Sequence, residues 1–92
     1  MNPPTDVKIS DGLLEHSLAL AFDLPEQGAD GFEVEWYADA GLTRRLGTVM
    51  IVRSPYAING LAPMTRVFAR ARALQGGQSG PWSPLVSRIV SG

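Results

Sequence analysis

Three groups of residues in this chain of 92 residues are of types that carry out chemistry in other proteins. Histidine occurs once, at His16, and cysteine is absent, so neither a thiol nucleophile nor a site of clustered histidines and cysteines for zinc can form. Glu33 and Glu35 resemble the paired carboxylates of a glycosidase. The alternation of their segment places both on one exposed face, without the enclosing pocket that drives two acidities apart. We therefore predict no enzymatic activity, no cofactor and no metal.

A glycine-rich segment, Gly76 to Gly80, is the third group, because loops of this composition can cradle phosphate. A phosphate-binding loop joins a strand to a helix and ends in lysine followed by serine or threonine. This segment has neither the following lysine nor a helical pattern after it. We interpret Gln75 to Pro81 as a flexible hairpin loop.

The net charge and the lengths of the apolar runs indicate which classes of partner the chain can bind. The net charge is −1 and the isoelectric point is about 5.7, so the chain has no excess of positive charge to attract nucleic acid or an anionic membrane. Apolar runs stay far below the ~20 residues that span a bilayer, and the first residues lack the basic and then apolar pattern of a signal peptide. We expect no nucleic acid partner and no insertion into a membrane.

Alternation with period two dominates the sequence and predicts short β-strands. Acidic side chains at Glu33 and Glu35 set the phase of one strand, because unpaired carboxylates are costly to bury. In the same way Arg66, Arg70 and Arg72 set the outward phase of a later one, in which Phe68 and Leu74 also face outward. The inward positions are then Val7 and Ile9; Leu18, Leu20 and Phe22; Phe32, Val34 and Trp36; Tyr56 and Ile58; and Val67, Ala69, Ala71 and Ala73.

Two strands are less regular. The segment Leu42 to Val52 holds a fourth strand, with a bend expected at Gly47, and Pro84 to Val90 forms the last strand, with either Leu85 or Val86 facing the core. Seven short strands at roughly ten-residue spacing predict two packed antiparallel sheets. The small inward alanines leave space that we expect Phe22, Trp36 and Tyr56 to fill.

The residues resemble those of the fibronectin type III domain over essentially the whole chain. Counterparts of that family's pattern are Pro3-Pro4, Leu18-x-Leu20-x-Phe22 with Pro25, Gly31-Phe32-x-Val34-x-Trp36, Tyr56-x-Ile58-x-Gly60-Leu61-x-Pro63-x-Thr65, and the arginine-bearing Ala69 to Ala73. The resemblance implies an all-β, seven-stranded, immunoglobulin-like antiparallel sandwich, formed as one domain of residues 1–92. Residues 1–5 and 91–92 are then expected to be remnants of linkers in a longer chain.

Two positions depart from the family's usual pattern. Phe22 stands where the family usually has tryptophan, and Val67 stands where a tyrosine hydroxyl ties the corner between two strands to upstream backbone. Because Val67 cannot donate that hydrogen bond, we expect packing of Leu61 and Pro63 to hold the corner.

A candidate interaction surface follows from the same resemblance, in which the third and sixth strands are neighbours. Glu33 and Glu35 would then lie across from Arg70 and Arg72. Trp82-Ser83 looks like the second half of the Trp-Ser-x-Trp-Ser box of cytokine receptors, in which tryptophan and arginine side chains stack, so Trp82 is expected to contact one of the two arginines. The candidate surface consists of Phe68, Arg70, Arg72, Gln78 and Trp82.

Two functions remain open. The chain resembles fibronectin type III repeats of phage tail-tip and host-specificity proteins, which implies a structural, spacer or protein-interaction module whose partners are other domains of its parent, located in a virion tail or outside the cell. Abundant arginine and alanine are typical of GC-rich bacterial and phage genomes. The alternative is an adhesive or carbohydrate-recognising module of a secreted enzyme or surface protein, binding a host-surface ligand through the Asp23–Gly31, Arg53–Pro55 and Gln75–Pro81 loops.

Overall fold

The structure is a sandwich of two antiparallel β-sheets. The computed structural model describes residues 4–23 and 29–90. The strands are β1 (Thr5–Asp11), β2 (Leu18–Asp23), β3 (Gly31–Tyr37), β4 (Arg45–Ile51), β5 (Tyr56–Ile58), β6 (Arg66–Gln75), β7 (Gln78–Ser79) and β8 (Val86–Ile89). The smaller sheet has the order β1-β2-β5, and the larger one has the order β4-β3-β6 with β7 and β8 both paired to β6. The predicted all-β sandwich is confirmed.

Two short strands follow β6: β8 lies within the predicted last strand, Pro84 to Val90, and β7 lies in the segment predicted as a loop. β7 pairs with the end of β6 and β8 pairs with its beginning, both along the edge of β6 that faces away from β3. Between them Ser83 continues the ladder: its backbone N–H donates to the Ala71 carbonyl at 2.8 Å and its hydroxyl accepts from the Ala71 N–H at 3.0 Å. The seven predicted strands are therefore present, and β7 is an additional short strand, separated from β8 by a segment that contains Pro81 and Pro84.

The core lies between the sheets and follows the predicted phases. Every inward position of β6 is fully buried, and Phe22 packs against Phe32 with ring centroids 4.8 Å apart above the small alanines. Val86, rather than Leu85, faces this core. Trp36 also points inward, but it is only partly buried: it lies at the open margin of the sandwich beside Tyr56, with its ring against the backbone of Gly47.

The corner before β6 is held largely by backbone. Leu61 is buried as expected, and its N–H donates to the His16 carbonyl at 3.0 Å. Pro63 is exposed, so its predicted packing role is wrong. Val67 has no hydroxyl to hold the corner, but two backbone hydrogen bonds connect the corner to Val90. The Met64 N–H donates to the Val90 carbonyl, and the Val90 N–H donates to the Thr65 carbonyl.

Of the residues predicted to be linkers, the structure describes only Pro4 and Thr5. Pro4 is fully buried and Thr5 begins β1, so these two residues are part of the packed sandwich. Residues 1–3 and 91–92 lie outside the described residues. In residues 4–23 and 29–90 the structure contains no helix with the length and apolar character needed to cross a membrane.

The glycine-rich segment is a tight hairpin turn, and its prediction as a flexible loop is wrong. Gln75 pairs with Gln78, which leaves Gly76 and Gly77 as the two residues of the turn. Both have positive φ, 59° and 79°, as a two-residue turn matched to the twist of its strands requires. The Gly76 N–H also donates to the Asp30 carboxylate at 2.8 Å, which ties this turn to the start of β3.

Replacing both glycines by alanine is expected to destabilise the domain by about 2–4 kcal/mol, because the left-handed conformation costs about 1–2 kcal/mol for each residue with a Cβ atom. Chemical denaturation measures this difference. Gly76→Asn is the matched control, since asparagine tolerates positive φ, and it should cost much less. An unchanged free energy of unfolding in the double alanine variant would show that the turn is not held in this conformation.

Candidate functional site

A stack of aromatic and charged side chains covers the outer face of the larger sheet. The register of β3 with β6 places Glu33 opposite Arg72 and Glu35 opposite Arg70, as the sequence predicted. Arg72 forms an ion pair with Glu33, its Nε lying 2.6 Å from the carboxylate, and Arg70 Nη2 lies 3.1 Å from Glu35 Oε1. Both acids are therefore matched by a cation from the adjacent strand.

Trp82 lies between these two arginines. The guanidinium carbon of Arg70 is 4.1 Å from the centroid of the Trp82 ring and that of Arg72 is 4.3 Å away, both within the range of a cation–π interaction. A second aromatic side chain, Tyr37, lies 5.7 Å from the same Arg70 carbon. The expected contact of Trp82 with an arginine is confirmed, and it involves both arginines rather than one.

The segment between β7 and β8 positions Trp82 on the outer face of the larger sheet. Ser83 is buried, and its two hydrogen bonds to Ala71 hold the backbone of this segment against the middle of β6. Neighbouring residues along an extended chain point to opposite faces. Because Ser83 is anchored at the level of Ala71, the preceding indole is carried onto the outer face, between the side chains at positions 70 and 72.

Glu35 is the most enclosed charge of the site. Its side chain is 9% exposed, so the prediction that both acids form an exposed pair is wrong for it. It accepts a hydrogen bond of 2.6 Å from the Tyr37 hydroxyl and others from Arg70, and Arg45 Nη1 lies 3.5 Å away. Burial alone would raise the pKa of this carboxyl, but the hydrogen bonds from Tyr37 and Arg70 and the two positive charges outweigh it and lower the pKa.

The same contact acts in the opposite direction on Tyr37. Burial raises the pKa of its phenol, and the hydrogen bond to Glu35 adds to this effect because a neighbouring carboxylate opposes ionisation. The phenol therefore stays protonated and serves as a hydrogen-bond donor. In the described part of the chain no buried side-chain polar atom lacks a partner.

The candidate residues fall into two groups. Arg70, Arg72 and Trp82 touch one another, and Phe68 lies on the same face of β6, partly buried opposite Tyr37. Gln78 pairs with Gln75, which has the parity of the inward positions of β6, so the register does not place it beside Arg72. The structure thus joins four of the five predicted residues on one face.

Two members of the stack were not identified from the sequence. Tyr37 follows Glu35 by two positions and therefore shares its face, a spacing that could have indicated the contact. Arg45 gave no such signal. It reaches Glu35 because the register of β3 with β4 shifts by one residue between Trp36 and Tyr37, and an irregularity of this kind cannot be read from alternation.

The stack has a measurable contribution to stability. Trp82→Ala is expected to lower the free energy of unfolding by about 1–2 kcal/mol, the sum of two partly exposed cation–π contacts. Arg72→Ala should cost under about 1 kcal/mol, since its ion pair keeps contact with solvent. In a double-mutant cycle measured by urea denaturation the two losses should be less than additive. Strict additivity would show that the two side chains are energetically independent.

The two sheets and the stack define a small antiparallel β-sandwich domain, and comparisons with known proteins identify its fold. No family model matches the sequence, and no curated protein matches it. Solved structures do match. The FN1-FN3 domains of chicken CNTN1 have a TM-score of 0.83 and 19% sequence identity, and the match covers 100% of this chain and 33% of that one. The FN5 domain of Drosophila Lar has a TM-score of 0.78 and 20% identity over 99% of both chains, and an Fn3-like protein from Clostridium thermocellum has a TM-score of 0.79 and 18% identity over 94% of this chain and 88% of that one.

The chain therefore has the fibronectin type III fold. It spans about one third of the CNTN1 fragment, which contains three such domains, and nearly the full length of the Lar domain. A fold alone does not assign a function, which has to be argued from the site.

Proposed function

We propose that this domain is a non-catalytic structural module, a spacer or protein-interaction unit, of a larger multidomain bacterial or phage protein associated with a virion tail or an extracellular surface. The observation that carries the proposal is that the charged and aromatic groups of the stack on the outer face contact one another. The guanidinium groups of Arg70 and Arg72 both contact the Trp82 ring, and Glu33 and Glu35 are both matched by arginines. Groups that are already engaged with each other brace a sheet and are poorly placed to bind a ligand.

Two further observations support this role. The match to one third of a three-domain fragment is what a single unit of a tandem array would give, and the Clostridium structure is a bacterial example of the fold. The sandwich measures 39 Å along its longest axis, which is the most that one such unit could add to the reach of a parent protein. Its partners are then the neighbouring domains of the same chain.

A domain replacement tests the spacer role. In the parent protein, exchanging this domain for an unrelated β-sandwich of the same length should preserve assembly and function, whereas deleting it should shorten the particle and impair both. Loss of function in the exchange, with assembly intact, would contradict a pure spacer.

A direct binding screen tests the adhesive alternative. The isolated domain, applied to a glycan array and to bacterial envelope preparations, should bind no more than an unrelated sandwich of similar charge. Binding that Trp82→Ala removes, but that the nearby surface variant Leu85→Ala keeps, would identify the stack as a recognition surface and overturn the spacer role.

A further inference from the structure

The margins of the two sheets differ in how they are protected from pairing with another chain. Unpaired backbone groups at a sheet edge form a template for a further strand, and proteins block such edges with proline, charge or short length. β5 is three residues long and follows Pro55. The β7–β8 edge is broken at Pro81 and Pro84. β1 begins after Pro4 and carries charged side chains within and at the end of its length.

β4 has none of these features in its interior. It is a seven-residue strand at the end of the larger sheet, with β3 as its neighbour on one side and no strand of the described residues on the other. It contains no proline, no lysine and no acid, and its single charge is Arg45 at the first position. Its irregularity is confined to that same end, next to Arg45. The remaining backbone edge is regular and open.

Apolar side chains line this edge on both faces. Met50 is 70% exposed on the outer face and Val52, just after the strand, is 73% exposed. On the inner face Val49 and Ile51 pack against the core, yet both remain only partly buried because the sheet ends there. An added strand would cover both rows at once, which would remove apolar surface from water while satisfying the free backbone groups.

The charge distribution indicates what kind of strand fits. Arg44 and Arg45 lie at one end of β4, where Arg45 also contacts Glu35, and Arg53 lies just beyond the other end. The apolar edge thus has arginines at both ends. A second copy is disfavoured, since two β4 strands in full antiparallel overlap about Val49 would place Arg45 opposite Arg53 twice. An extended apolar segment with acidic residues at its ends would meet opposite charges instead.

We propose that the free edge of β4 binds an extended, acid-flanked apolar segment of another protein or domain by β-strand addition. The inference deepens the proposed function, because it names the surface and the chemistry of a partner for an interaction module. It does not use Trp82, which lies toward the other side of the same sheet, and it shares only Arg45 with the stack. Failure of the edge to bind would leave the spacer role standing.

The test uses the domain labelled with nitrogen-15 and a defined probe, an eight-residue peptide with glutamate at each end and alternating valine and threonine between them. Addition of the peptide should slow hydrogen exchange of backbone amides in β4 and leave those of β5 and β8 unchanged. A peptide with lysine at both ends is the probe control, and it should bind at least about tenfold more weakly because of like-charge repulsion.

Two variants that each add one negative charge test whether the peptide binds at β4. Met50→Glu should weaken binding by about tenfold or more, because it sets an acid beside the added acidic strand. Met64→Glu makes the same change at a side chain that is 74% exposed in the corner before β6, and it should have less than about twofold effect. Val52→Glu serves if Met50→Glu is poorly folded.

The outcomes separate the alternatives. Protection confined to β4 together with the difference between the Met50 and Met64 variants supports the proposal. Equal loss in both variants, protection at another edge, or a concentration-dependent dimer of the free domain that excludes the peptide would overturn it.

Discussion

Phe32→Ala is expected to lower the free energy of unfolding by about 3–5 kcal/mol, the usual cost of removing a buried aromatic ring. Phe32 is 2% exposed near the start of β3, and its ring lies against Phe22 with centroids 4.8 Å apart. Its inward neighbours on β6 are alanines, whose methyl groups are too short to fill the cavity. Urea denaturation at constant temperature measures the loss, with the slope checked for a two-state transition.

Met50→Ala is the matched control for this prediction. Met50 lies in the neighbouring strand but faces solvent, so its truncation should change the free energy of unfolding by no more than about 0.5 kcal/mol. A loss below about 1 kcal/mol for Phe32→Ala would contradict the placement of the core between these two sheets.

Glu35→Gln is expected to lower the free energy of unfolding at neutral pH by about 2 kcal/mol, because it removes the charge that accepts from Tyr37 and Arg70 inside a nearly covered site. The pKa of Glu35 is lower in the folded state than in the unfolded chain. Its contribution is therefore fully present above the unfolded pKa and is lost as the pH falls through the folded pKa. Denaturation curves from neutral to acid pH should show the two proteins converging.

Asp11→Asn is the control for that convergence. Asp11 also has a lowered pKa, owing first to its hydrogen bond from Arg88, but the pair is exposed, so its removal should alter stability far less. A constant gap between wild type and Glu35→Gln at all pH values would show that the carboxylate itself contributes nothing and that only side-chain shape matters.

The sequence predicted the phases of β3 and β6 correctly because the cost of burying charge leaves one choice at each. Arg66, Arg70 and Arg72 must reach solvent, and once they do, Val67 and the three alanines have no other side to face. The pairing of Glu33 with Arg72 and of Glu35 with Arg70 then followed from the resemblance that set the strand order.

The features that could not be predicted depend on contacts between distant segments. Alternation shows which face Glu35 occupies, but not that Tyr37, Arg70 and Arg45 would enclose it. The phase of β4 is hard to predict for a related reason: its outward Met50 is as apolar as its inward Val49 and Ile51, so this part of its pattern carries little contrast between faces.

The hairpin turn was within reach of the sequence. Two consecutive glycines between strand-forming residues are a signal for a two-residue turn with positive φ, yet the surrounding glycine and serine favoured the interpretation as a loop. The length of the turn could be assigned only once Gln75 was seen to pair with Gln78.

The two prolines that flank Trp82-Ser83 have a consequence for polymerisation. Proline has no N–H to donate to a neighbouring strand, so the side of the larger sheet that carries Pro81 and Pro84 is a poor template. A sheet that can be lengthened on one side alone cannot grow into a fibril by repeated stacking of identical units. Even at the high local concentration of domains in a tandem array, addition of a strand to the larger sheet would stop after one strand.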